Sequence, residues 1–286
     1  MFIVRIISRL PFFLLYRLSW LLYLFAYYVF GYRKSVVFDN IRQSFPEKNE
    51  QQVQALAKGF YRRLADSLVE VIKAHSMSGD EFIQRCSIIG AEQLKSYSDG
   101  PVIVLCIHQG NWEWMLHGVS QRLGIDVDPV YKQLHHQGWD QFMQEVRSRF
   151  NSRPIPMKRA GRDLLKRGKD FRIFVMLADQ KPIDGESCHW VNYLNRKAPF
   201  YVGTEKLASL TQYPVFFAQC RLVRQGYYEV EFKPLAEPPY PRKREDGGFP
   251  ITEAYVQAAE AAIREQPETF LWSHNRWKRR HSPEIG

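Results

Sequence analysis

A histidine at the end of an apolar run is the residue of this 286-residue chain best placed to do chemistry. Val102-Ile103-Val104-Leu105-Cys106-Ile107 delivers His108, and Gln109-Gly110-Asn111-Trp112-Glu113 follows. The run reads as a buried strand, Gly110 as a turn residue and Asn111–Leu123 as a helix. Ligand sites in open α/β sheets gather at such carboxyl ends of strands. A neutral imidazole there accepts a proton from an attacking hydroxyl. A carboxylate on its other ring nitrogen fixes the tautomer and stabilises the imidazolium. Spacing makes Glu113, expected in the first helical turn, that carboxylate. The backbone N–H groups of the same turn are placed to steady an oxyanion.

His-x4-acid is a loose pattern. It occurs at His108/Glu113, His75/Asp80 and His135/Asp140, and only His108 follows an apolar strand. Context therefore selects His108, and two readings stay open: a general base, or a histidine that caps the helix or satisfies a core hydrogen bond. No Gly-x-Ser-x-Gly elbow is present, which leaves a serine hydrolase without support. Cys106 alternates with His108 along the strand and reads as core. A metal on His108, Glu113 and His117 is disfavoured, because no His-Glu-x-x-His pair or flanking ligand cluster accompanies them.

The elements that must hold this histidine alternate along the chain. Strands are expected at Pro101–Ile107, Val127–Tyr131, Pro154–Met157 and Phe171–Ala178. Helices are expected at Asn111–Leu123, Gln137–Phe150 and Ala160–Arg167. That rhythm predicts an α/β domain with a mostly parallel central sheet flanked by helices. Thr204–Thr211 reads as a helix before a strand at Val215–Leu222, with Tyr227–Lys233 as its antiparallel hairpin partner through Gln225-Gly226. Glu237–Pro250 reads as a surface loop, and Thr252–Glu265 as a helix capped by Thr252. Nearer the N-terminus, Val36–Ser44 and Glu50–His75 read as helices. With no repeat or linker beyond it, residues 35–286 are expected to form one domain.

Residues 1–34 set the cellular context. Leu10–Phe30 is apolar and aromatic apart from Arg17, about as long as the roughly 20 residues a helix needs to cross a bilayer. It reads as a membrane anchor, the alternative being an ordinary buried helix. A cleaved signal peptide fits poorly, since no small-x-small site follows. Arg17 argues for snorkelling or an interfacial position, and the cations on both flanks leave orientation open. The net charge of +10 points to an anionic partner. Its cations lie in short clusters (Arg33-Lys34, Arg62-Arg63, Lys158-Arg159, Arg242-Lys243-Arg244, Lys278-Arg279-Arg280), which does not favour nucleic acid. The four cysteines show no paired spacing, consistent with a reducing compartment.

Seven segments taken in order resemble the bacterial lipid A biosynthesis acyltransferases, the late or secondary acyltransferases of the lysophospholipid acyltransferase superfamily. After the apolar N-terminal helix come Asn40-Ile41-Arg42-Gln43-Ser44-Phe45-Pro46, the His108–Glu113 block and Val130-Tyr131-Lys132. Arg147-Ser148-Arg149-Phe150, Asp179-Gln180, Pro199-Phe200-Tyr201-Val202-Gly203 and Trp272-Ser273-His274-Asn275-Arg276-Trp277-Lys278 complete the set. Lys132 stands where the family usually has Arg, and Asn151 where Gly is usual. The resemblance implies a glycerolipid-acyltransferase-like fold and direct transfer of a fatty acyl chain from acyl carrier protein thioester to a hydroxyl of a lipid A precursor. It implies His108 as general base with Glu113, no acyl-enzyme and no cofactor. The substrate-binding set it implies is Asn111, Tyr131, Lys132, Arg147, Arg149, Asp179, Gln180 and Gly203. The expected partners are acyl carrier protein and a membrane lipid acceptor, at the cytoplasmic face of the bacterial inner membrane. Two other functions compete: the same chemistry on an aminolipid, glycolipid or lysophospholipid, and a non-catalytic membrane-peripheral lipid-binding protein.

Overall fold

The computed structural model describes residues 1–166, 170–183, 185–241 and 247–278. The cluster Arg242-Lys243-Arg244, part of the Glu237–Pro250 loop, and Arg279-Arg280 lie outside the described residues.

Seven strands form the main sheet: β1 (Cys86–Ile89), β2 (Val102–Cys106), β3 (Asp126–Tyr131), β4 (Ile155–Pro156), β5 (Arg172–Leu177), β8 (Val215–Arg224) and β9 (Tyr227–Ala236). Their order is β1-β9-β8-β2-β5-β3-β4, and every pairing is parallel except β8 with β9. Helices cover both faces, so β2 is buried on both sides and reads as an unbroken apolar run. Its side chains nevertheless alternate between layers. Ile103, Leu105 and Ile107 join one apolar cluster, and Val102, Val104 and Cys106 the other. The helices are α3 (Lys34–Ser44), α4 (Glu50–Ala74), α5 (Gly79–Arg85), α6 (Ala91–Lys95), α7 (Trp112–Leu123), α8 (Gln137–Arg147), α9 (Ala160–Lys166), α10 (Gly203–Thr211) and α11 (Pro250–Glu265).

Most expected elements stand within a few residues of their predicted bounds, and the differences have local causes. β1 is a four-residue edge strand, too short for its period to be read. A separate hairpin, β6 (Cys188–Tyr193) with β7 (Arg196–Tyr201), turns through Leu194 and Asn195, both at positive φ. A bulky residue in that conformation gives none of the Asn-Gly signal by which such turns are recognised. Helix α11 starts two residues earlier than expected, with Pro250 at its first position. Thr252 lies inside it, its N–H 3.1 Å from Glu205 Oε2.

The apolar N-terminus folds as α1 (Phe2–Ser8), a break before Pro11, and α2 (Phe12–Leu24), which runs on as a π-helical turn to Val29. Phe12–Val29 is long and apolar enough to cross a membrane. One flank is docked antiparallel on α4. The Tyr16 hydroxyl donates to Glu70 at 2.9 Å, Ser19 donates to Asp66, and Lys73 lies over the Phe12 ring. The opposite flank is bare, with Phe13, Trp20, Phe25, Tyr28 and Phe30 half or more exposed. A boundary at residue 34 thus separates elements that pack together.

Helix α3 ties the C-terminal segment down. The buried Asn40 amide donates to the carbonyls of Trp272 (2.9 Å) and His274 (3.0 Å), while Arg33 donates to Ser273 O at 2.9 Å. Leu271 N–H in turn donates to His108 O at 3.0 Å, and Gly110 N–H to Thr269 O at 3.1 Å. The turn carrying His108 is therefore braced from behind by a segment that Asn40 holds. Asn40→Ala leaves two inward carbonyls without their donor and should lower the free energy of unfolding by about 2 kcal/mol, read from urea denaturation.

On the other face of the sheet, His117 of α7 is fully buried against the rings of Phe82 and Phe150. Burial pushes its pKa from 6.5 down to about 4, opposed by Glu113 and reinforced by Arg149. The unfolded chain then takes up this proton before the native one does. The stability that the neutral ring provides is complete above pH 6.5 and is lost as pH falls toward 4, about 3 kcal/mol in all. His117→Phe should flatten the dependence of the urea midpoint on pH over that window, whereas an unchanged slope would assign it to other groups.

Candidate active site

Strand register builds the centre. β2 and β5 are adjacent and parallel, with Cys106 opposite Leu177. His108 and Asp179 each lie two residues past that pair, so both side chains leave the sheet at one level on neighbouring chains. The result is a hydrogen bond of 2.7 Å between His108 Nδ1 and Asp179 Oδ1. Asp179 is buried, while the His108 side chain is 17% exposed. Burial alone would raise the Asp179 pKa, but the His108 charge, that hydrogen bond and backbone donors together hold it below the ordinary carboxylate value. With Nδ1–H donated to Asp179, Nε2 carries the lone pair. It faces the exposed Gln180, whose amide nitrogen lies 3.3 Å away. Trp112 sets its ring edgewise on the imidazole at 5.0 Å.

Glu113 does not supply this hydrogen bond, contrary to the expectation from spacing. It sits in the first turn of α7, buried, and its carboxylate takes the guanidinium of Arg147 at the end of α8, with Nε donating to Oε2 at 2.9 Å. Burial would raise the Glu113 pKa, yet Arg147, His117 and His108 outweigh it and hold the carboxyl below its ordinary value. The pair does not hydrogen-bond to His108, whose charge acts on Glu113 from a distance. Tyr131 stands beside the pair, its ring 6.0 Å from the Arg147 guanidinium.

Several residues expected to bind substrate have other duties. Asn111 is the helix cap: its side-chain oxygen accepts from Trp114 N–H at 3.0 Å and its amide nitrogen donates to Glu70 at 2.9 Å, which consumes both ends. Arg149 donates to the carbonyls of Ala74 and Met77, closing the end of α4 and the turn after it. Gly203 opens α10, where a Cβ would collide with the Tyr201 ring. Lys132 is exposed just past β3. Cys106 is core, its thiol pushed well above its ordinary pKa by burial and its Sγ 3.6 Å from Met176 O. Among the described residues no group of three or more His, Cys, Asp or Glu side chains is placed to hold a metal ion.

One feature has little signal in the sequence. Glu70 of α4 gathers Tyr16, Asn111 and Tyr228, the last at 2.6 Å, and burial raises its pKa to about 7 against those hydrogen bonds. Its only signal was an acid on the apolar side of a long helix. His274 lies within electrostatic reach of Asp179 and His108, its pKa lowered to about 4 chiefly by burial. Gly110 completes the turn at φ +63°, where a Cβ would stand 2.6 Å from Cys220 O, a backbone atom that cannot swing aside.

The site as a whole offers an oriented, accessible imidazole nitrogen at the carboxyl end of a parallel sheet, beside a buried carboxylate–guanidinium pair. Among solved structures, the chain is similar to the 1-acyl-sn-glycerophosphate acyltransferase of Thermotoga maritima, with 13% identity over 89% of this chain and 95% of that one and a TM-score of 0.38. No curated protein sequence matches it. The model of the bacterial lipid A biosynthesis acyltransferases matches residues 1–279. The chain belongs to that family, and it is a lipid acyltransferase.

Proposed function

We propose that the protein moves a fatty acyl chain from an acyl carrier protein thioester to a hydroxyl of a lipid A precursor, at the cytoplasmic face of the bacterial inner membrane. The observation that carries the reaction is the 2.7 Å hydrogen bond from His108 Nδ1 to Asp179, with Nε2 directed outward. The acceptor hydroxyl takes the place of the Gln180 amide at Nε2 and gives up its proton as its oxygen attacks the thioester carbonyl. The C–S bond then breaks, and the imidazolium returns the proton to the leaving thiolate. Asp179 stays ionised throughout and stabilises the imidazolium between those two transfers. No acyl-enzyme and no cofactor enter this sequence. Arg147, held in place by Glu113, suits an acceptor phosphate or the developing oxyanion.

The net charge of +10 supports an acidic carrier as donor, and the bare apolar flank of α2 supports contact with lipid. Because the other flank rests on α4, whose facing side bears Arg62, Asp66, Glu70 and Lys73, a full crossing would drag those charges into hydrocarbon. An interfacial seat in one leaflet avoids this.

In a transfer assay with acyl carrier protein thioester and lipid A precursor, His108→Ala should lower kcat by roughly 10²–10⁴-fold while lipid binding persists. Asp179→Asn should fall on the order of 10²-fold. Turnover unchanged in His108→Ala would refute the assignment. Transfer to a lysophospholipid but not to the lipid A precursor would keep the mechanism and replace the acceptor.

A further inference from the structure

A cavity of about 320 Å³ lies between the apolar helix and the body of the protein, apart from His108. Its lining is Phe13, Tyr16, Arg17 and Trp20 from α2, Arg62 from α4, and Gln225 from the β8–β9 turn. Strand β8 leaves its pairing with β2 at Phe217 and runs on to Arg224, so this turn projects from the same end of the sheet as His108. Two rings of the rim are largely bare, Phe13 at 66% and Trp20 at 50% exposure.

Positive charge in this cavity exceeds the acid that could neutralise it. Asp66 is nearly surrounded: Ser19 and Gln225 (3.0 Å) donate to it, Arg63 stands at 3.3 Å and Arg62 Nη2 at 3.4 Å. The other terminal nitrogen of Arg62 is buried and has no hydrogen-bond partner. Arg17 forms no ion pair among the described residues and is exposed mid-way along α2. Glu70, one turn beyond Asp66, is turned inward to Tyr16, Asn111 and Tyr228. An unsatisfied guanidinium nitrogen and a second, unpaired guanidinium thus share one hollow whose outer edge is aromatic.

From this arrangement we infer a binding site for the phosphate of a membrane glycerophospholipid, held by Arg17 and Arg62 with its acyl chains along Phe13 and Trp20. A phosphate diester supplies what the hollow lacks: one negative charge and acceptor oxygens that match guanidinium forks. Trp beside Arg at the rim is the pairing found where protein meets headgroups. The bound lipid seats α2 on the leaflet with the catalytic end of the sheet turned toward the bilayer. This inference does not depend on the identity of the acyl acceptor.

The test is vesicle flotation of the full chain, comparing phosphatidylcholine vesicles with vesicles containing phosphatidylglycerol in equal part, at fixed salt. Arg17→Gln/Arg62→Gln should weaken binding to the mixed vesicles by roughly tenfold, and Lys158→Gln/Arg159→Gln by far less. Arg17→Gln alone touches no ion pair, so it should fold and still show part of the loss. Inorganic phosphate at millimolar concentration should not displace the protein from mixed vesicles. Three results would overturn the inference: binding of the double variant within twofold of the parent, displacement by inorganic phosphate alone, or unaltered flotation with a raised KM for a phosphorylated acceptor. The last would give the hollow to the substrate.

Discussion

Two strands lying side by side in parallel register bring an imidazole and a carboxylate to one level, and most of the site follows from that constraint. Cys106 faces Leu177, and two residues later the chains present His108 and Asp179 to each other. Because Asp179 is buried, its charge is kept only by its partners, above all the imidazole. The carboxylate needs the histidine as much as the histidine needs the carboxylate. Shifting either strand by one residue would turn one member of the pair to the opposite face of the sheet. The precision therefore lives in the register of β2 and β5 rather than in the loops.

Around that pair the structure invests in fixing the turn that carries His108. Gly110 takes the positive φ the turn requires, Asn111 caps α7 and is held by Glu70, and Thr269–Leu271 brace the turn through backbone hydrogen bonds. Asn40 and Arg33, far off in sequence, hold the segment after those residues. Hydrogen bonds thus join the start of α3, the C-terminal Trp272–Lys278 motif and the turn that carries His108. Trp272 of that motif packs edgewise against the rings of Phe45 and Phe270.

Local pattern made much of this legible. A buried strand announces itself by an apolar run, α4 by apolar residues at helical spacing, and the turn by Gly110, so local pattern alone locates His108 at the carboxyl end of β2. What sequence spacing cannot express is which residues meet across strands. Glu113 lies five residues from His108, and spacing selects it; Asp179 lies seventy-one residues away, and the resemblance places it only among the substrate-binding residues. Asn111 and Arg149 carried polar groups that suit a ligand equally well, and only the structure shows those groups consumed by a helix cap and by carbonyls at the end of α4. The hairpin β6–β7 escaped notice because Leu194 adopts a conformation its side chain does not advertise.

The tautomer of one ring decides between a histidine built for proton transfer and one that merely fills its place. Nitrogen-15 NMR of histidine-labelled protein, with His108 assigned by its loss in a substituted chain, reads that tautomer directly at a pH where the ring is neutral. The expected result is a proton on Nδ1, hydrogen-bonded to Asp179, and a bare Nε2. A neutral ring carrying its proton on Nε2 would contradict it, because the nitrogen facing the acceptor would then have no lone pair to offer.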